Sequence, residues 1–241
     1  MLVLTWNLFH GRSRPPAGGE LFAEFAAMLA AWDWDVALLQ EVPPWWPQQI
    51  ARCCRADCRL ALTSRNLGLR VRRALAERWP DVIKSNGGGC NAVLARRRIA
   101  AHEAVMLRRM PERRVAQLVR LVDGTCVVNY HGSARVPLAE AELEALAKRA
   151  VAWCEDGPTI LGGDLNLREP RPGSGGLRLV ASRDVDHLFA RGLEPAGEPQ
   201  QLDRHVDVGG VTVELSDHVP LAISLHEAGP RAGQATRRLR R

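Results

Sequence analysis

Apolar and polar positions along this chain follow two different periods, and the switches between them mark out an alternating order of strands and helices. Leu2 to Trp6 is a short apolar run that reads as a strand, and Asn7 ends it. Residues 10–19 (HGRSRPPAGG) carry glycine and proline and predict a loop. From Glu20 to Trp32 the period changes: Leu21, Phe22, Phe25, Met28, Leu29 and Trp32 fall on one face at helical spacing. Asp35 to Gln40 (DVALLQ) predicts a second buried strand, with Glu41 following it. After Pro43-Pro44, the Trp45-Trp46 stretch opens a further helix, with the tryptophans in a core or a lid. Residues 63–90 show no clear period. Ser85 to Gly89 reads as a turn or mobile loop, since it lacks the Lys-Ser/Thr ending of a phosphate-binding loop. Asn91 to Ala95 is a strand after it.

In the second half, Val115–Val122 and Thr125–Tyr130 read as strands separated by Asp123-Gly124, a hairpin signal, and the second leads into His131. Leu138 to Cys154 predicts a helix. Thr159-Ile160-Leu161 is then a buried strand followed by Gly162-Gly163-Asp164-Leu165-Asn166. The glycines let the backbone leave the strand tightly or let another group approach it closely. If the chain stays extended, Asp164 and Asn166 share one face and present a carboxylate and an amide to one site. The competing reading is a plain polar turn. Residues 168–176 are a loop, Val185–Ala190 a short strand with Asp186 and His187, and Val206–Leu215 a segment turning at Gly209-Gly210. Ser216-Asp217-His218 precedes a last strand, Val219–Leu225.

Composition adds a globular chain of 241 residues with 46% hydrophobic content. No apolar run approaches the roughly 20 residues needed to span a bilayer. The start of the chain has no basic segment leading into an apolar one, so a cytoplasmic protein is expected. The six cysteines lack zinc-finger spacing and read as small buried hydrophobes without disulfides. Net charge is +6, and residues 65–114 hold 13 Lys and Arg against four acids. That concentration points to a polyanionic partner, nucleic acid first, with Arg96, Arg97 and Arg98 as candidate contacts. Residues 1–227 are expected to form one domain and residues 228–241 a basic, disordered tail.

Asn7, Glu41, His131, Asp164 and Asn166 each come at or just beyond the end of a predicted strand, and Asp217-His218 opens one. Polar groups collected at strand ends of an α/β protein form sites. Trp-Asn at 6–7, Leu-Gln-Glu at 39–41, Gly-Asp-Leu-Asn at 163–166, Val-Asp-His at 185–187 and Ser-Asp-His at 216–218 together resemble the ordered motifs of the endonuclease/exonuclease/phosphatase superfamily. The resemblance runs from residue 4 to about 225. It implies a four-layer α/β sandwich with two mixed β-sheets packed face to face and helices outside. It also implies Glu41 as the main ligand of Mg²⁺ or Mn²⁺, with Asn7 and Asp217 nearby. Asp164 would orient or deprotonate the attacking water, Asn166 contact the scissile phosphate, and His218 stabilise charge or act as acid/base, oriented by Asp186. His131 matches a second active-site histidine. His187 has no assigned role.

The expected activity is metal-dependent hydrolysis of a phosphodiester in nucleic acid. A phospholipid or small phosphorylated metabolite is the alternative substrate, and a catalytically inactive nucleic-acid-binding module is the alternative from another class.

Overall fold

The structure is a computed structural model that describes residues 1–64, 66, 68–79, 89–155, 157–173 and 175–228. The expected glycine loop at 85–88, Arg65 and Lys84 of the basic segment, and the basic tail from Gly229 lie outside the described residues. In chain order, the first half holds β1 (Leu2–Asn7), a 3-10 turn (Phe9–Gly11), β2 (Ser13–Arg14), α1 (Phe22–Ala31), β3 (Val36–Val42), α2 (Pro47–Cys54), β4 (Asp57–Leu62), α3 (Leu69–Arg78) and β5 (Cys90–Ala95). There follow β6 (Ile99–Arg108), β7 (Arg114–Leu121), β8 (Cys126–Asn129), α4 (Val136–Cys154), β9 (Thr159–Asp164), β10 (Arg178–Arg183) and β11 (Asp186–Arg191). The last elements are β12 (Leu193–Pro195), β13 (Gln200–Gln201), β14 (His205–Val208), β15 (Val211–Leu215) and β16 (Leu221–Glu227).

Two mixed sheets dominate. One has the order β12-β16-β1-β3-β5-β4, with β13 also on β16; the other has the order β10-β11-β9-β8-β7-β6. Successive strand residues point to opposite faces, and that alternation builds three apolar layers. Val3, Val36, Leu38 and Val93 of the first sheet meet Val119, Val127, Ile160 and Leu188 of the second. The outward residues Leu4, Trp6, Leu39 and Leu94 pack against α1 and α2 through Phe25, Leu29 and Ile50. On the other side Leu118, Val128, Tyr130 and Leu161 pack against Leu143, Leu146 and Ala150 of α4. Helix, sheet, sheet and helix are therefore the four layers expected. Each fully buried aliphatic or aromatic side chain contributes about 1.5–3 kcal/mol, so the strands with both faces covered carry much of the fold.

The structure corrects the sequence reading in several places. Residues 10–19 are not only loop: the 3-10 turn and β2 form there, and β2 pairs with β15. Such a two-residue strand exists because of a partner some 200 residues away, which no local pattern reveals. β4, β6, β10 and α3 also have no clear sequence signal. β4, β6 and β10 are edge strands of the two large sheets, and none of the residues of α3 is buried, so neither shows a clean apolar period. Glu41 lies within β3 rather than after it. Five cysteines are buried, only Cys53 is exposed, and all six are free. Among the described residues, no helix is long and apolar enough to cross a membrane.

Candidate active site

Strand registers decide which polar residues meet. β1 and β3 are parallel and pair Asn7 with Gln40, so both strands deliver their C-terminal residues to one end of the first sheet. β16 runs antiparallel to β1 and pairs Leu221 with Thr5, which puts the preceding Asp217 and His218 at that same end. In the second sheet, β11 pairs Asp186 with Asp164 at the end of β9. β8 runs parallel to β9, and Tyr130 and His131 follow it there. Across the sheets, Gln40 Nε2 donates to Asn129 Oδ1 at 2.8 Å, and Asn129 Nδ2 donates to Leu39 O and Ala92 O. This buried polar joint fixes the two strand ends against each other.

The local backbone then aims the side chains. The β3–β5 pairing shifts register between Leu39 and Val42, and Glu41 has φ +50°. A bulge of this kind re-aims a side chain that a regular strand would point elsewhere. His10, Asn166 and Ser216 also have positive φ, and such backbone outliers gather at working sites. Gly163 has φ +136°, and a Cβ there would meet Tyr130 O at 2.0 Å; a Cβ on Gly132 would meet Leu165 O at 2.3 Å. Of the two roles open to the glycines after Leu161, close approach is the one realised. The extended path expected for 164–166 is not: Asn166 turns, and its N–H donates to Asp164 Oδ1 at 3.0 Å. That turn still delivers both side chains to the same cleft. Asn166 Nδ2 donates to Gly132 O at 3.0 Å.

The resulting cleft, about 310 Å³, is lined by Asn7, Glu41, His131, Asp164, Asn166, Asp217 and His218. Asn7 Nδ2 donates to Asp164 Oδ2 at 2.9 Å, and Asn7 Oδ1 accepts from the Phe9 N–H. His131 Nε2 lies 3.4 Å from Asp164 Oδ2 and 3.9 Å from Glu41 Oε1. His218 Nδ1 lies 2.7 Å from Asp186 Oδ2, and its Nε2 lies 3.7 Å from Asp164 Oδ2. The His218 loop is tied to β1 by Ser216 Oγ donating to Asn7 O, and by Trp6 Nε1 donating to His218 O. Trp6 in turn packs on Phe25 with centroids 5.1 Å apart, which links the site to α1.

Charge in the cleft follows from these contacts. Burial opposes a charge on His218, but the hydrogen bond and charge of Asp186, with Asp164 and Asp217, outweigh it and raise the imidazole to about 9. Burial likewise opposes a charge on Glu41, yet the hydrogen bond and charge of His10, with His131 and His218, hold its carboxyl at about 2. His131 moves the other way: burial lowers it, and the charge of Arg114 adds to that. His187 lies outside the cleft lining and is fully buried. Its Nε2 is 2.6 Å from Leu167 O and its Nδ1 is 2.9 Å from Ser182 Oγ, a structural role.

The donors suit a hard divalent cation. Glu41, Asp217 and Asn7 offer oxygen, and Asp217 Oδ1 is buried without a hydrogen-bond partner while its Oδ2 takes Arg14 Nη2 at 2.7 Å. A buried carboxylate oxygen left unpaired is costly unless something binds it. Asp164, Asp186 and His218 also each place one ligand atom within 4.8 Å of the others.

Arg96, Arg97 and Arg98 are not brought to the cleft. β5 pairs Cys90 with Val42 near the site and Ala95 with Val36 at the opposite end, so the three arginines follow the far end. Two residues that sequence reasoning did not single out do reach it. His10 Nε2 lies 3.0 Å from Glu41 Oε2; its one sequence cue is a histidine three residues after Asn7. Arg114 opens β7 and lines the cleft. It belongs to the basic 65–114 stretch but begins its strand, so polar residues at the C-terminal ends of strands do not point to it.

Residues 4–218 match the model of the Endonuclease/Exonuclease/phosphatase family. No curated protein matches the chain in sequence. Among solved structures, an endonuclease/exonuclease/phosphatase from Beutenbergia cavernae DSM 12333 is 21% identical with TM-score 0.68, over 95% of this chain and 72% of that one. TDP2 from Caenorhabditis elegans is 15% identical with TM-score 0.66, over 95% and 74%. A mannosyl-6-phosphatase from Bacteroides thetaiotaomicron VPI-5482 is 14% identical with TM-score 0.69, over 94% and 99%. At these identities the likeness is one of fold.

Proposed function

Since the chain belongs to the endonuclease/exonuclease/phosphatase family, whose members hydrolyse phosphoester bonds, we propose that it is a divalent-metal-dependent phosphodiesterase with its catalytic domain in residues 1–227. The observation that carries this is the His218–Asp186 pair, 2.7 Å apart, with the free Nε2 of His218 turned toward Asp164 at 3.7 Å. A positively charged imidazole and a carboxylate then share one small space, as a phosphate and an attacking water require.

Each residue takes a role that its contacts support. Asp164 accepts from Asn7 at one oxygen and from the Asn166 N–H at the other, which fixes the carboxylate while leaving lone pairs to orient a water and take its proton. His218 stays protonated near neutral pH and offers Nε2–H to a phosphate oxygen. Asp186 sets its ring direction. Asn166 and His131 flank the phosphate position. Glu41, with Asn7 and Asp217, would hold Mg²⁺ or Mn²⁺, and a cation there would neutralise phosphate charge and acidify a bound water.

Nucleic acid is the proposed substrate class, on the net charge of +6 and on Arg12 and Arg114 in the cleft wall. The protein is proposed to act in the cytoplasm. A small phosphorylated substrate is the second reading, favoured by Arg96–Arg98 lying away from the cleft. A phosphatase of the same fold gives that reading a concrete form. Magnesium-dependent turnover of DNA, RNA, bis-p-nitrophenyl phosphate and p-nitrophenyl phosphate, measured side by side, tests both. Turnover of the diesters supports the first reading, turnover of the monoester alone supports the second, and no turnover of any sinks both.

A further inference from the structure

Arg114 is an unusual occupant of the cleft. Its side chain is only 9% exposed, and its charge is felt at His131. Nη2 donates to Glu112 Oε2 at 2.5 Å. Nε, whose N–H shares one edge of the planar guanidinium with an Nη2 hydrogen, is buried and has no hydrogen-bond partner. The fork that can grip two oxygens at once is therefore half used. Glu112 is the opposite kind of residue. Its side chain is 59% exposed, and it lines the same cleft.

This ion pair is unequal. Glu112 can swing out and recover its full hydration, because an exposed carboxylate loses little when a surface pair opens. Arg114 has no such route, since a buried guanidinium without an anion is strongly disfavoured. A phosphoryl group entering the cleft solves the problem better than Glu112 does. It carries two or more anionic oxygens at the spacing that a guanidinium fork binds bidentately, so it engages Nε as well as Nη2.

We propose that Arg114 is a substrate-binding residue that grips two oxygens of the phosphoryl group, and that Glu112 is its displaceable counter-ion, holding the arginine in place until substrate arrives. The proposal rests on the phosphoester reading above and extends it to the oxygens of the substrate that the catalytic groups leave free. It makes Glu112 an internal competitor. Removing that acid should tighten phosphate binding, which is the reverse of what removal of a structural ion pair does.

Titration calorimetry with inorganic phosphate on the full chain in magnesium buffer tests this. Glu112→Ala should bind phosphate about two- to fivefold more tightly, the worth of an exposed pair. Arg114→Ala should bind it about tenfold or more weakly, the scale for charged hydrogen bonds, and the double variant should match Arg114→Ala. Arg114→Lys keeps the charge without the fork and should also weaken binding. It serves if the alanine variant fails to fold, as judged by circular dichroism. In turnover, Arg114→Lys should raise KM more than it lowers kcat. Unchanged or weaker phosphate affinity in Glu112→Ala, or wild-type affinity in a folded Arg114 variant, overturns the proposal. If the affinity pattern holds while no phosphoester is hydrolysed, the anion site stands and the activity assigned above fails. If hydrolysis is normal and affinity ignores both residues, this inference alone fails.

Discussion

The two ends of the sandwich use the same kinds of residue to opposite effect. At the far end, Arg96 donates to Trp32 O and lies 4.4 Å over the Trp34 ring, Arg97 pairs with Asp123 at 2.5 Å, and Asp57 and Asp35 accept from the Ile99 and Leu2 N–H groups. Every one of those charges is committed to tying strands and loops together. At the cleft end, acids and histidines crowd together instead. Asp217 Oδ1 and Asp186 Oδ1 are buried without hydrogen-bond partners, and Arg114 keeps an unused Nε–H. A run of charge along the chain is thus a poor guide to where the site lies, and unspent bonding capacity is a better one. Residues 65–114 illustrate the point, since one basic stretch supplies structural arginines to one end and Arg114 to the other.

The comparison is most exposed to metal removal. If the unspent oxygens of the cleft end await a cation, exhaustive chelation should abolish turnover and added Mg²⁺ or Mn²⁺ should restore it. Glu41→Gln should weaken metal binding and activity together. Full activity in chelator would mean that the cleft oxygens are not ligands.

Asp164→Asn comes next. It keeps the shape but removes the base, and its single amide oxygen can accept only one of the two hydrogen bonds from Asn7 and Asn166, so kcat on bis-p-nitrophenyl phosphate should fall about 10²–10⁴-fold. Wild-type kcat would reduce Asp164 to a turn residue. Asp186→Asn should cost less, about tenfold to a hundredfold, as for partners that orient metal-bound histidines. Its signature is in pH. His218 is raised to about 9, so activity that needs the imidazolium persists below that value and falls as pH rises through it. Without the carboxylate the histidine loses its proton earlier, and the basic limb should move down. The stability that His218 contributes through its raised value runs the same way: it is present below the ordinary histidine value of about 6.5 and is lost as pH rises through about 9. Asp186, itself raised to about 6 by burial, takes a proton and weakens the ion pair as pH falls through that value. Adding Asp186→Asn to His218→Ala should change little further, and fully additive losses would separate the two residues.

The smallest effect belongs to the far end. Replacing Arg96, Arg97 and Arg98 together with alanine should leave kcat/KM on the same substrate within about twofold. It should lower stability by about 1 kcal/mol, the scale of exposed ion pairs, as read by denaturant titration. A large loss of nucleic-acid turnover in that variant, with a flattened salt dependence, would bring the far end into the substrate path and erase the contrast.

Much of this was legible beforehand. Short apolar runs ending in polar residues located β1, β3, β8, β9 and β11, because a strand covered on both faces writes its burial directly into sequence. The same rule singled out Asn7, Glu41, His131, Asp164 and Asn166, with Asp217 and His218 opening a strand, and the family resemblance added Asp186; the structure gathers all eight around one cleft and its edge. Their order along the chain also sufficed for the family. What the sequence could not determine lies in pairings between distant segments. β2 forms only against β15, and the bulge at Glu41 forms only against β5. Asn129 matters because Gln40 reaches it from the other sheet. His10, Arg114 and Arg96 are alike in sequence terms, each a basic residue beside a turn or a strand boundary. Strand register carried the first two into the cleft and the third to the opposite end, because direction along a strand is set by its neighbours and not by the residue itself.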